Sequence, residues 1–290
     1  MNLIVDIGNT RVKAAVMERG ECVAQRSAGS LEPAMLDELF AAWRIDKAIV
    51  CSTRGDTADA AAMLRRRVAR VVEFGPATPV PIRNDYLTPA TLGRDRLAAA
   101  VGAAVLWPGR NVLIVDCGTA VTIDLVTADG TFRGGCISPG LRSRFRALHD
   151  YTAALPLCSP AEAEEETGGA AGADTGASSG RESGEEAGAD TAEDGGAAAE
   201  AHSGGEPAQL LGRTTREAIE RGVTNSLVYE IEGYMARLQG KIDGLCVIFT
   251  GGDAKYLSKR IKNTIFANRN PVLCGLDRIL EFNVSEEHLE

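Results

Sequence analysis

Two short acidic turns carry the residues best suited to chemistry in this 290-residue sequence. The first, Asp6–Lys13, follows an apolar segment, so its carboxylate would lie at the end of a strand, where α/β proteins bind ligands. Gly8 would let a phosphate approach the backbone, exposed turn amides can bind an anion, and Lys13 adds a positive charge. Asp6 could hold Mg²⁺ through water. A β-hairpin with an Asx turn is the alternative interpretation of this segment.

The same pattern recurs 110 residues later. Leu113–Thr119 matches Leu3–Asn9 at five of seven positions, and each copy is followed by an alternating strand and a Gly-containing hairpin turn. The repeat predicts a duplicated domain in which a second loop, with Asp116 and Thr119, faces the first. Two such loops could clamp a polyphosphate between them. Asp124, on the strand after the second loop, could face the same cleft or the solvent.

A third turn, Thr250–Asp253, places a Gly pair between an apolar strand and a helix. A flat ring or a sugar could lie against the backbone there. After two phosphate loops, this turn is consistent with an adenosine site, although a Gly pair is also a common structural turn. The sequence contains no GxxxxGK[ST] motif, which excludes a P-loop.

Gly93–Arg96 lies at a predicted helix start. Asp95 could be a helix-capping carboxylate. Alternatively, it is a general base that orients a substrate hydroxyl and accepts its proton during phosphoryl transfer. The bidentate donors of Arg96 would then suit a carboxylate-bearing substrate.

The segment Gly134–Leu141 contains glycines and a proline, which predict an irregular loop before a helix. Three arginines follow it on that helix, and they either stay solvated or reach phosphates. They are Arg142, Arg144 and Arg146.

Strands and helices follow one another around these turns. The predicted strands are Asn2–Val5, Val12–Met17, Cys22–Arg26, Ala48–Cys51, Val121–Leu125 and Cys246–Phe249, besides the apolar start of the second repeat. The predicted helices are Pro33–Trp43, Ala58–Ala69, Leu92–Leu106, one from Thr215 to about Leu238 and one that begins at Ala254.

Composition excludes several classes of protein. Residues 161–200 contain 12 of the 40 acidic residues and one of the 31 basic ones, so the rest of the chain is nearly neutral and lacks the basic excess of a nucleic-acid binder. The same stretch has no Val, Ile, Leu, Met or aromatic residue, which predicts a disordered insertion at about 159–208. Its role is either that of a neutral spacer or that of a segment that binds a basic partner.

The cysteines and the apolar segments of the sequence predict the cellular compartment. Seven cysteines without a CxxC pair favour reduced thiols and a cytoplasmic protein rather than a disulfide framework or a structural zinc site. The N-terminus lacks the basic leader of a signal peptide, and no apolar run approaches the roughly 18 residues of a membrane span. We therefore expect no membrane partner.

Taken in order, the motifs resemble the type III pantothenate kinase family over the chain outside about residues 159–208. They are Asp6-Ile7-Gly8-Asn9-Thr10-x-x-Lys13, Tyr86-x-x-Pro89-x-x-Leu92-Gly93-x-Asp95-Arg96, Asp116-x-Gly118-Thr119-Ala120-x-Thr122-x-Asp124, Gly134-Gly135-x-Ile137-x-Pro139-Gly140, Thr152-Ala153-x-Leu155-Pro156, Leu211-Gly212-x-x-Thr215-x-x-Ala218-Ile219-x-x-Gly222, Thr250-Gly251-Gly252 and Leu273-x-Gly275-Leu276.

The resemblance implies an α/β fold of the actin/hexokinase-like superfamily: two ribonuclease H-like halves with a nucleotide between them. The expected halves are residues 1–111 and 112–290, with the insertion inside the second. It also implies ATP-dependent phosphorylation of pantothenate to 4'-phosphopantothenate, the first step of coenzyme A biosynthesis, by a homodimer whose substrate pocket is completed near the subunit interface.

The resemblance also implies a role for each matching residue. Asp95 would be the proton acceptor. ATP contacts are expected from Asp6, Ile7, Gly8, Asn9, Thr10, Arg11, Val12, Lys13 and Thr119. Pantothenate contacts are expected from Tyr86, Gly93, Arg94, Asp95, Arg96 and Thr215. Asp6 would help to place Mg²⁺, and Asp116 would bind a monovalent cation, K⁺ or NH₄⁺.

The acidic insertion departs from the family pattern, and it bears on the substrate and dimer surface more than on the chemistry. Three alternatives to the kinase stay open at this stage. One is a non-catalytic regulatory relative that binds nucleotide on the same fold. A second is a ribonuclease H-type nuclease with clustered carboxylates and two metals, and a third is another small-molecule kinase.

Overall fold

A computed structural model describes residues 1–160, 210–262 and 264–286. The predicted disordered insertion at about 159–208 lies outside these ranges, apart from its first two residues. Among the described residues, no helix combines the length and the hydropathy that a bilayer crossing requires.

The first sheet is built from the N-terminal quarter of the chain. Its strands are β1 (Asn2–Ile7), β2 (Val12–Glu18), β3 (Glu21–Ala28), β4 (Lys47–Ser52) and β5 (Arg70–Glu73). They lie in the order β3-β2-β1-β4-β5. The pairs β1–β2 and β2–β3 are antiparallel, whereas the pairs β1–β4 and β4–β5 are parallel. Helix α1 (Pro33–Ala42) precedes β4, and helix α2 (Ala58–Arg65) connects β4 to β5.

The second sheet repeats this topology. Its strands are β6 (Arg83–Asn84), β7 (Val112–Cys117), β8 (Ala120–Thr127), β9 (Thr131–Pro139), β10 (Cys246–Thr250) and β11 (Ile265–Phe266), in the order β11-β10-β7-β8-β9-β6. Without the edge strand β6, the order and directions are those of the first sheet. Helices α4 (Leu141–Asp150), α5 (Thr215–Gln239) and α6 (Ala254–Ser258) accompany it. The duplication and the α/β fold predicted from the sequence are confirmed.

Side-chain alternation explains how each central strand is buried on both faces. Ile4 points into a buried cluster shared by the two sheets, whereas Leu3 and Val5 point into the cluster that α1 and α2 cover. The equivalent strand β7 places Ile114 in the shared cluster, while its neighbours face the helices of the second half. Near-continuous apolar runs are typical of strands buried on both faces.

Helices α3 (Arg94–Leu106) and α7 (Pro271–Glu286) fill the space between the sheets. Glycines allow their close approach, because a Cβ on Gly102 would lie 1.9 Å from the carbonyl oxygen of Pro271, and one on Gly275 would lie 1.8 Å from that of Ala98. Helix α7 also packs against β1, β4 and β5. This helix was not predicted from the sequence.

The prediction of an irregular loop at Gly134–Leu141 is wrong. Residues Thr131–Pro139 form strand β9, paired along its length with β8, and the helix begins directly afterwards at Leu141. The pairing register shifts at Leu125/Val126, and Gly134 nearby has a φ of 96°. Glycine adopts this positive φ easily, so the pairing continues past it. The irregularity is therefore a β-bulge within β9 and not a loop.

The boundary of the two halves at residues 111 and 112 stays a prediction. Each half contributes an element to the other. Strand β6 of the first half pairs with β9 in the second sheet, and α7 of the second half packs against the first sheet. Strands β5, β6 and β11 were not predicted from the sequence, and the ends of some helices differ. α2 ends at Arg65 rather than Ala69, and α3 begins at Arg94, after a 3-10 turn at Pro89–Thr91.

Candidate active site

A cleft of about 490 Å³ opens between the halves at the carboxyl ends of their parallel strands. Turns that follow β1, β4, β7 and β10 form its walls, together with the first turns of α3, α4 and α7. This is the edge at which open α/β sheets bind ligands. The residues lining it are Asp6, Gly8, Asn9, Thr10, Arg11, Lys13, Thr53, Asp95, Arg96, Ala99, Asp116, Cys117, Gly118, Thr119, Ala120, Thr122, Arg142, Ser143, Arg146, Thr250, Gly251, Gly252, Asp253, Asn270 and Val272.

The first acidic turn closes through a short backbone hydrogen bond. The amide of Gly8 donates to the carbonyl of Arg11 at 3.0 Å, and Asp6 lies opposite Lys13 in the β1–β2 register. Of the residues predicted to contact ATP here, all but Ile7 and Val12 line the cleft. Val12 is buried in the core of the first half, so its side chain faces away from the cleft.

The second acidic turn has the same closure and meets the first. The amide of Gly118 donates to the carbonyl of Ala120 at 3.0 Å, as Gly8 does to Arg11. The hydroxyls of Thr10 and Thr119 are 3.0 Å apart, so the two turns touch across the cleft. The two turns therefore face each other as the repeat predicts, and a polyphosphate held by them stays a prediction.

The Gly pair of the third turn packs against the second. Gly251 has a φ of 95°, and a Cβ there would lie 2.5 Å from Oδ1 of Asp116 and 2.6 Å from the carbonyl oxygen of Cys117. The amide of Asp253 donates to that same carbonyl at 3.0 Å. A side chain at position 251 would therefore push the turn away from Asp116, which explains the glycine.

Three carboxylates and one lysine face each other at the bottom of the cleft. Burial raises the pKa of Asp6 to about 6, with Lys13 opposing the rise and Asp95 adding to it. Burial also raises the pKa of Asp116 to about 6, again against Lys13, and both Asp95 and Asp6 add to the rise. Neither Asp6 nor Asp116 forms an ion pair within the described residues. Among the residues described, no group of three or more His, Cys, Asp or Glu side chains is arranged to hold a metal ion. Asp6 and Asp116 would each therefore suit a hard cation such as Mg²⁺ or K⁺ that takes its other ligands from water or phosphate oxygens.

This arrangement costs stability when no cation is bound. A carboxyl group whose pKa rises from 3.8 to about 6 on folding destabilises the protein by about 3 kcal/mol at pH values above 6, and by nothing below 3.8. We therefore expect Asp6→Asn to raise the unfolding free energy of the nucleotide- and metal-free protein by about 1–3 kcal/mol at pH 7.5. The gain should shrink steadily as the pH is lowered through 5.

Urea unfolding of both proteins in a chelator, at a series of pH values, measures the difference. Asp59→Asn is the control, since Asp59 lies in the first turn of α2 and outside the cleft. A gain at pH 7.5 that stayed constant down to pH 4 would contradict the cause assigned to it.

Asp95 lies in the first turn of α3, half-buried in the cleft wall. Its Oδ1 accepts a hydrogen bond from the amide of Arg96 at 2.9 Å. The structure places Gly93 at the N-cap, with no side-chain cap, so Asp95 does not cap the helix. A Cβ on Gly93 would lie 2.6 Å from Oδ1 of Asp95, so a larger residue at position 93 would displace this carboxylate.

Arg96 is buried and pairs with Asp124, which is 1% exposed. Burial raises the pKa of Asp124, and the guanidinium of Arg96 opposes that rise. Asp124 therefore faces neither the solvent nor the open cleft, but the arginine at the cleft wall. The Tyr86 ring lies over the same guanidinium at 5.6 Å.

The other residues predicted to contact substrate lie outside the cleft of their own chain. Arg94 donates to the backbone carbonyls of Leu92, Pro89 and Gly75, so its guanidinium holds the loop before α3. Thr215 is exposed at the start of α5, where Thr214 is the N-cap.

Several residues of the cleft were not assigned to the site from the sequence. Thr53 follows β4, and the rule that ligands bind at carboxyl ends of parallel strands would have found it. Arg142 and Arg146, one turn apart on α4, reach the cleft, whereas Arg144 pairs with Glu230. Others come from the start of α7, an element that the sequence analysis did not predict.

Comparison with known proteins identifies the family of this chain. The sequence model of the type III pantothenate kinase family matches residues 2–180. A type III pantothenate kinase from Porphyromonas gingivalis is 37% identical over 283 residues, which cover 98% of this chain and 99% of the relative. One from Phocaeicola vulgatus is 35% identical with the same coverage.

A solved structure supports the fold alone. A Baf family transcriptional activator from Campylobacter jejuni aligns with a TM-score of 0.53 at 15% identity, over 98% of this chain and 99% of that one. The family match and the full-length relatives carry the assignment. This chain belongs to the type III pantothenate kinase family.

Proposed function

We propose that Asp95 is the general base with which this chain, a pantothenate kinase by family, phosphorylates pantothenate to 4'-phosphopantothenate with ATP. One observation carries the proposal. The carboxylate of Asp95 lies in the same cleft as the two facing acidic turns, close enough to raise the pKa of both Asp6 and Asp116.

The geometry leaves Asp95 ready to accept a proton. Its Oδ1 is held by the Arg96 amide, and the first turn of a rigid helix fixes its position. The other oxygen, Oδ2, has no hydrogen-bond partner among the described residues. A primary hydroxyl placed there would donate to Oδ2 and be oriented for attack on the γ-phosphorus of ATP. As the new P–O bond forms, the bond from the γ-phosphorus to the β,γ-bridging oxygen breaks, ADP leaves and the hydroxyl proton passes to the carboxylate.

The two acidic turns would hold the nucleotide. Backbone amides around Gly8 and Gly118, the Thr10 and Thr119 hydroxyls and the Lys13 ammonium supply donors for phosphate oxygens. The Gly pair at Gly251 offers a flat backbone surface for the nucleoside. Arg142 and Arg146 add positive charge on the same side of the cleft.

Two cations would complete the proposed nucleotide site. Asp6 would hold Mg²⁺ through water and Asp116 a monovalent cation, K⁺ or NH₄⁺, since both carboxylates lack a cationic partner apart from the nearby Lys13. Bound there, such cations neutralise negative charge that develops on the phosphates during transfer.

Pantothenate would be oriented by the loop before α3. Arg96 would contact its carboxylate, with Tyr86 packed on the guanidinium and Gly93 beside the base. Arg94 would act by holding that loop.

We also propose a homodimer in which Thr215 reaches the partner's substrate pocket, because Thr215 is exposed and lies outside its own chain's cleft. Exposed apolar side chains on neighbouring elements support a contact surface here. They are Ile137, Tyr151, Leu211 and Tyr229. Sedimentation analysis should give twice the 30.5 kDa mass of one chain. The seven unpaired cysteines are consistent with the cytoplasm, where thiols stay reduced.

The activity is tested by following ADP release and product formation with ATP and Mg²⁺, with and without pantothenate, in K⁺ and then in Na⁺ buffer. Pantothenate-dependent turnover supports the proposal. ATP binding without turnover would instead favour a non-catalytic relative that keeps the nucleotide site.

A further inference from the structure

We propose that Asp124 is a positioning residue that fixes the Arg96 guanidinium for binding of the substrate's anionic group. This inference rests on the proposed function, because it concerns the same substrate site. Asp124 does not contact the cleft directly; it would act through Arg96.

The contact between the two side chains fixes the orientation of the guanidinium. Nε of Arg96 donates to both oxygens of Asp124 at 3.1 Å, and Nη2 donates to Oδ1 at 2.5 Å. Such a forked contact holds the guanidinium plane as well as its position. Nη1 is not part of this contact, and Arg96 lines the cleft. The Tyr86 side chain also interacts with the guanidinium, so Tyr86 and Asp124 together would hold it while Nη1 contacts a substrate anion.

The surroundings of the pair restrict its orientation. The rings of Tyr86 and Phe132 lie 5.6 and 5.9 Å from the guanidinium carbon of Arg96. Behind Asp124, strand β9 carries Gly135, where a Cβ would lie 2.2 Å from Oδ1 of Asp124. The glycine therefore gives the carboxylate its space.

The pair also connects the two halves beside the proposed base. Arg96 follows Asp95 on α3, whereas Asp124 lies on β8 of the second sheet. A shift of the Arg96 side chain would move the anion-binding nitrogen relative to Asp95, and thus the substrate's hydroxyl relative to its acceptor. Misplacement on this scale weakens binding and turnover.

Asp124→Asn tests the inference, since the amide keeps the shape of the side chain but loses the charge and one acceptor. We expect the pantothenate dissociation constant to rise by about 10-fold or more, as when a partner that orients a ligand-binding side chain is removed. Calorimetry with Mg²⁺ and a non-hydrolysable ATP analogue measures it. Affinity for the ATP analogue itself should change by less than about twofold.

Glu281→Gln is the matched control. It removes a carboxylate that pairs with Lys47 at 2.8 Å, at the opposite edge of the first sheet. Both variants should lower the melting temperature, but the control should leave pantothenate affinity unchanged. If Asp124→Asn lowered only the melting temperature, the pair would be merely structural and the inference would be overturned.

A second variant shows whether Asp124 acts through the arginine. In an Arg96→Lys background, the forked contact is absent, so Asp124→Asn should change pantothenate affinity by less than about twofold. An equal loss in both backgrounds would overturn the inference. Failure of the proposed function looks different, because the wild-type protein would then neither bind nor phosphorylate pantothenate.

Discussion

Replacement of Asp95 by Asn should lower the turnover of pantothenate by about 100-fold or more, because the amide cannot accept the hydroxyl proton. The change is isosteric, and the amide oxygen can still accept the hydrogen bond that the Arg96 backbone donates at 2.9 Å. Affinity for ATP should stay within about threefold of wild type, since the removed charge is not a phosphate ligand. Steady-state kinetics and nucleotide titration measure the two quantities.

The matched control is again Asp59→Asn, an aspartate in the first turn of a different helix. It should leave both quantities unchanged. Wild-type turnover in the Asp95 variant would remove this residue from the base role. A loss of ATP affinity equal to the loss of turnover would show that Asp95 shapes the nucleotide site instead.

The sequence predicted the two facing turns because a repeat is visible in the residues themselves. Asp6 and Asp116 occupy equivalent positions of β1 and β7, and once the halves are known to be duplicates, symmetry places the two turns opposite each other. The glycine at 251 was recognised as a turn, but its packing against Asp116 depends on which strand neighbours β10. Strand order is a long-range property that local patterns do not carry.

The arginines beside the base show a different limit. Arg94 and Arg96 look equivalent in a short motif, yet one binds backbone carbonyls and the other pairs with Asp124 at the cleft wall. Their different directions follow from the helical turn, since residues two apart lie on different faces. The partner of Arg96 lies 28 residues away, and no local pattern identified it.

Helix α7 was not predicted because its first turns, residues 271–276, are buried on every side between the sheets. That stretch contains no polar side chain, and the polar residues that mark a helical face begin only at Asp277. The sequence places Gly134 and Gly135 in a loop because glycine favours turns. Their tertiary roles, a backbone bulge and space for Asp124, override the turn propensity of glycine.

Replacement of Asp116 by Ala should abolish the stimulation of turnover by K⁺. In the wild-type protein this carboxylate is half-buried near Asp6, Asp95 and Asp124, with Lys13 as the nearby positive charge. The monovalent cation proposed at this position would offset the repulsion between the carboxylates. Without the carboxylate, the cation has lost its charged ligand, and the rates in K⁺ and Na⁺ buffers should become equal. The common rate should match that of the wild-type protein in Na⁺.

Asp116→Asn separates the loss of charge from the loss of packing, because its side chain still occupies the space next to Gly251. The carbonyl oxygen of Asn is a weaker ligand than a carboxylate, so this variant should respond to K⁺ less than the wild type does and only at higher concentration. Asp129→Asn, on the exposed β8–β9 turn, is the control and should keep the full response. If Asp116→Ala still required K⁺ to the same extent as the wild type, the cation would bind elsewhere. The raised pKa of Asp116 would then reflect only its burial and its proximity to other carboxylates.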